Sequence, residues 1–243
     1  MWDEGQSHLA AGRYVAARSL LERASEMAWR ARDARSLARI YLPLLEARRL
    51  IRYRAAEGRI VIGGGISPLP ARRQLRQFEH ATEGTFLVCA EAPRAWRLAH
   101  DIPAAARRSG HCLEALLLFH HGHETRLASP GEPTFAAGLP VTWTEDPAAA
   151  IASSTDPALV VPLPPAGAYD GTGPGLGGVA RESVLIAWEA LALRWQSRHP
   201  LPSGAGPGDE LLWLRQALRI DPACEPITMR LIAVAEGVER RRR

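Results

Sequence analysis

The chain has 243 residues, of which 47% are hydrophobic and 23% charged, and its net charge is +4. That length and balance suit one large domain or two small ones, each with a core, and exclude wholesale disorder. Its 30 cationic residues are all arginine; with no lysine, a G-x-x-x-x-G-K phosphate loop, a lysine Schiff base and the catalytic lysine of protein kinases are excluded.

In chain order, the first stretch predicts helices. Leu20, Leu21, Ala24 and Ala28 make one apolar stripe. Leu37, Ile40, Tyr41, Leu44 and Leu45 make a cleaner one, at the i, i+3, i+4, i+7, i+8 spacing of a helix face. Gly12-Arg13 separates these from a shorter helix starting near Trp2.

The next stretch alternates strand-like and helix-like runs. Arg59–Ile62 is β-branched and stops at Gly63-Gly64-Gly65. Residues 71–81 predict a helix, and Thr85–Cys89 a buried strand. Residues 93–108 predict a helix that Pro103 should kink or split. Cys112–Phe119, Leu139–Trp143 and Ala158–Val161 read as further strands, with Asp146-Pro147 starting a short helix between the last two. Strands apolar on both faces and alternating with helices imply a small, mainly parallel sheet of four or five strands covered by helices.

The last stretch is helical again. Val184, Trp188, Leu191 and Trp195 form one stripe, Leu211, Leu214 and Leu218 a second that ends before Asp221-Pro222, and Ile227, Leu231, Val234 and Val238 a third. Trp188, Trp195 and Trp213 sit at core spacing. The expected organisation is a helical segment over 1–56, an α/β domain over 57–165, a Gly/Pro-rich linker over 166–178 and a helical segment over 179–243.

The run Gly5, Gly12, Tyr14, Ala17, Leu21, Ala24 has small residues where helices touch and an aromatic at the turn. The run Leu214, Ala217, Asp221-Pro222, followed by a helix, has the same character. Both resemble tetratricopeptide repeats, whose period is about 34 residues. The resemblance covers the two ends and none of the middle. It implies helical hairpins that present a concave surface to a partner. The expected function is therefore a non-enzymatic interaction or scaffold protein, with Arg35, Arg39 and Arg48 receiving an acidic or C-terminal peptide segment. Arginine suits that role because its planar fork pairs bidentately with carboxylate.

The alternative is an enzyme or small-ligand or metal sensor with a site at the C-terminal edge of the sheet. Gly63, Gly64 and Gly65 follow a strand directly and could form a ligand-contacting turn. His120-His121-Gly122-His123-Glu124 is the densest ligand cluster; His121, His123 and Glu124 are the metal candidates, with Cys89 or His111 as a possible third contributor. Gly173–Gly178 matches G-x-G-x-x-G, but no strand runs directly into it, so it reads as linker and no cofactor is expected. Neither H-E-x-x-H, G-x-S-x-G nor C-x-x-C occurs.

Asparagine is missing along with lysine. Both use AT-rich codons, so the arginine content partly reflects coding bias. The arginines are mixed with Asp and Glu except at Arg240–Arg243, and a nucleic-acid partner is not expected. No apolar run approaches the ~20 residues of a membrane span, and no membrane partner is expected. The acidic opening Met1-Trp2-Asp3-Glu4 does not read as a secretory leader, and Cys89, Cys112 and Cys224 are odd in number and far apart. A reducing, cytoplasmic setting is the expectation.

Overall fold

A computed structural model of the chain describes residues 1–63, 83–89, 94–121, 124–131, 139–144, 159–162 and 178–242. Helices α1 (Trp2–Ala10), α2 (Tyr14–Arg30) and α3 (Ala34–Glu57) come first. They are followed by β1 (Arg59–Gly63), β2 (Glu83–Cys89), α4 (Arg94–Arg108), β3 (Cys112–His121), β4 (Glu124–Ala128), β5 (Leu139–Thr144) and β6 (Leu159–Pro162). Helices α5 (Gly178–Arg198), α6 (Pro207–Ile220) and α7 (Glu225–Arg242) close the chain. Two compact units result: Met1–Ile51 with Ala192–Arg243, and Arg52–Leu191.

The first unit is helical, and its turns follow from local chemistry. Helix α1 ends with Gly12 at φ 72°, where Arg13 N–H bonds the His8 carbonyl at 2.9 Å and Gly12 N–H the Leu9 carbonyl at 3.0 Å. This is the Schellman arrangement, which satisfies the last helical carbonyls through a left-handed residue. Helix α2 ends the same way at Arg32, with Asp33 N–H on the Ala28 carbonyl at 2.9 Å. Asp33 then starts α3 by accepting the Ser36 N–H at 3.0 Å and the Ser36 hydroxyl at 2.5 Å, bonds that hold its carboxyl below the usual range. Gly5 lets α1 close on α2: a Cβ there would stand 2.8 Å from Leu21 Cγ.

All five residues of the α3 stripe are buried, as are Leu20, Leu21, Ala24 and Ala28 of α2. From the other end of the sequence come the buried Trp195, Leu211, Leu214, Leu218, Ile227 and Leu231. Asp221 stops α6 and turns the chain into α7, its Oδ1 accepting the Ala223 N–H at 2.9 Å. The two ends are tied together. Arg48 donates to Glu22 Oε1 at 3.1 Å and to the Pro222 carbonyl at 3.2 Å, Arg49 pairs with Glu225, and Arg215 reaches both Glu26 oxygens at 2.7 and 2.8 Å.

In the second unit the described strands form a six-stranded sheet whose spatial order is its sequence order. Strands β1, β2 and β3 run parallel, β4 is antiparallel to both β3 and β5, and β6 is parallel to β5. The sheet is thus mixed, and this corrects the expectation of a mainly parallel one. The reason is β4, whose Glu-Thr-Arg-Leu-Ala sequence carries no strand-length apolar run and which pairs antiparallel with β3, His121 opposite Glu124. Ala115, Leu116, Leu117 and Leu118 of β3 are buried in succession, as in a strand covered on both faces. Helix α4 packs on β3 and β2 through Leu98, Ala99, Ile102 and Ala106. Pro103 lies inside α4 without splitting it, on a strongly amphipathic helix whose burial outweighs one lost backbone bond. Arg52 stacks over the buried Trp188 ring at 4.3 Å.

Among the described residues no helix is long and apolar enough to cross a membrane. The expected helix over 71–81, Gly64 and Gly65, Asp146-Pro147 and the linker over 166–177 lie outside the described residues.

Candidate functional site

The helical unit carries a cleft of about 660 Å³. Three elements build it. The α2–α3 turn supplies Trp29, Arg32, Ala34 and Leu37. The first turns of α6 supply Pro207, Gly208, Asp209, Leu211, Leu212 and Arg215, and the end of α7 supplies Val238 and Arg241.

One wall is rigid. Trp29 Nε1 donates to the Tyr41 hydroxyl at 2.9 Å, and the Arg215 guanidinium lies 4.8 Å above the Trp29 ring while its fork is held by Glu26. Burial pushes the Tyr41 phenol up, so it stays a neutral donor and acceptor. Leu37 and Leu211 form an apolar floor, and Leu212 stands 53% exposed at the edge.

The rim is basic. Arg32 and Arg241 are exposed and form no ion pair among the described residues. The N-terminal turn of α6 opens on the same space; beyond Gly208 a Cβ would meet nothing within 4 Å. A helix start carries partial positive charge and favours anions. Among the described residues Asp209 is the one acid of the lining, and its carboxylate is turned back to accept the Gly206 N–H at 3.1 Å. Among the described residues no histidine, cysteine or serine lines the cleft.

The residues singled out in the sequence fall elsewhere. Arg35 is exposed in the first turn of α3, Arg39 lies 4.7 Å over the Trp2 ring, and Arg48 is engaged by Glu22 and Pro222. None of the three lines the cleft. In the sheet, Gly63 pairs with Val88 and Cys89 with Leu118, so both stand at the C-terminal edge of β1–β3. His121 is set opposite Glu124 where β3 turns into β4, and His123 lies outside the described residues. The Cys112 thiol is pushed up to about 11 by burial and by the nearby Glu83 and Glu114, which disfavours the nucleophilic thiolate.

No protein-family model matches the chain, and no curated protein or solved structure shows significant similarity to it.

Proposed function

We propose that this chain is a non-catalytic interaction module that holds an acidic, partly apolar segment of a partner polypeptide in the cleft of its helical unit. The observation that carries the reading is the lining itself: among the described residues, the exposed guanidiniums of Arg32 and Arg241 stand at the rim, while Arg215 is already paired with Glu26 and Asp209 is turned back to Gly206. The volume of about 660 Å³ falls in the range that accepts a few side chains. Charge complementarity selects an acidic partner, and the exposed Leu212 at the edge offers apolar surface for it to bury. The tetratricopeptide-like hairpins support the same reading, since stacked helical hairpins create concave binding surfaces.

Fluorescence anisotropy with a labelled peptide of alternating Glu and Leu, and with its Gln-for-Glu counterpart, tests this. The acidic peptide should bind at least about tenfold more tightly, and the difference should shrink with added salt. Equal affinity for the two peptides, or none for either, would refute it.

A second reading is a metal or small-ligand site at the sheet edge, although among the described residues no group of three or more His, Cys, Asp or Glu is placed to hold a metal ion. The register places His121 opposite Glu124, beyond the strand ends that carry Gly63 and Cys89. Purified chain dialysed against zinc should then retain about one equivalent, and His121→Ala should abolish retention. Retention unchanged in the variant would remove this site from consideration.

A further inference from the structure

We propose that Arg32 is the residue that recognises the partner's carboxylate, held at the cleft rim in a backbone conformation that the chain otherwise gives to glycine. The proposal rests on the peptide-binding reading above and names the anchor of that site. Arg32 has φ 51°, and it is the one non-glycine among the described residues with positive φ; the others are Gly12, Gly110 and Gly204.

Gly12 and Gly110 occupy the same position after α1 and α4, with the same pair of backbone bonds: Arg13 N–H to the His8 carbonyl, and His111 N–H to the Ala106 carbonyl, both at 2.9 Å. Glycine would serve the α2 end equally well, because the bonds there are made by the backbones of Arg32 and Asp33. An arginine brings a Cβ that crowds the following carbonyl in this conformation.

Nothing else in the described fold uses the side chain that causes this strain. The Arg32 side chain is exposed and takes part in no hydrogen bond, ion pair or ring contact among the described residues. It does line the cleft, together with Arg241 and the N-terminal turn of α6. Strained positions persist where they position a functional group, and here the group is a guanidinium whose fork of donors meets no partner among the described residues. A carboxylate is the ligand that such a fork takes bidentately. Two sources share that chemistry: the C-terminus of the partner segment, and a Glu or Asp side chain within it.

The test exploits opposite signs. Arg32→Gly and Arg32→Asn relieve the left-handed strain, so each should raise Tm, by about 2–4 °C for Gly in a chain of this size. Each should also weaken binding of the Glu/Leu peptide by about tenfold or more, the loss expected for one charged hydrogen-bonded pair. Arg35→Gln, close by on α3 and outside the lining, should leave affinity unchanged. Capping the probe as a C-terminal amide and replacing its Glu by Gln separate the two sources; the arm that loses affinity in wild type and not in Arg32→Gly identifies the carboxylate. Wild-type binding that persists undiminished in Arg32→Gly and Arg32→Asn overturns the assignment of Arg32 alone. Failure of the wild-type chain to prefer the acidic probe overturns the cleft reading beneath it.

Discussion

Glu22 accepts from Arg18 at 2.9 Å and from Arg48 at 3.1 Å, and Arg48 carries the link on to the Pro222 carbonyl. Burial alone would push the Glu22 carboxyl up; the charges and hydrogen bonds of Arg18 and Arg48 outweigh it and hold the group at about 2, against an ordinary 4.5. A folded-state value below the unfolded one means stability that is fully present above pH 4.5 and lost as pH falls toward 2. Allowing for the third of the side chain that water reaches, the contribution is on the order of 1–2 kcal/mol. Urea unfolding compared at about pH 7 and about pH 3 should show this loss, and Glu22→Gln should be less stable at the higher pH with a flatter acid limb. An acid limb identical in variant and wild type would remove Glu22 from the account. The same pairing explains why Arg48 was legible as an arginine of interest and not as a structural one. Its partners, Glu22 and Pro222, lie 26 and 174 positions away in sequence, and no local pattern announces them. Arg32, Arg215 and Arg241 were illegible for a related reason: they line one cleft but come from three segments far apart in sequence.

Elements with a strong period were readable. The α3 stripe and the β2 and β3 apolar runs mark segments whose burial is dictated by spacing alone. Strand β4 was not readable, because a strand with Glu, Thr and Arg in its first three places has no period of its own and is recruited by the ladder of β3. Pro43 and Pro103 show the opposite failure of local rules, each lying within a helix whose buried face carries it through. Where α3 gives way to β1, Gly58 meets the backbone of β2: a Cβ would lie 2.2 Å from the Glu83 carbonyl oxygen and 2.7 Å from the Gly84 nitrogen. Neither atom can rotate away, and Arg59 pairs with Gly84 in the very next step. Gly58→Ala should therefore cost about 2–3 kcal/mol, read as a lower urea midpoint. An unchanged midpoint would show that the junction has slack that this geometry denies.

At the scale of the whole molecule, the helices of the two chain ends make one unit, and the sheet makes another. Apolar stripes at both ends of a sequence show that each end needs a partner surface, and Arg215 with Glu26 and Arg49 with Glu225 show that they supply it to each other. The cleft exists because of this union, since residues on either side of it come from opposite ends of the chain. An acidic, partly apolar peptide is proposed to occupy that cleft. The most direct measurement is photo-crosslinking of a Glu/Leu peptide carrying a benzophenone, followed by mass-spectrometric mapping of the attached fragments. Attachment within residues 29–37, 207–215 and 238–241, competed by unlabelled peptide and reduced by salt, is the result expected from the lining. Attachment within residues 83–128, or scattered labelling that unlabelled peptide does not compete, would contradict it.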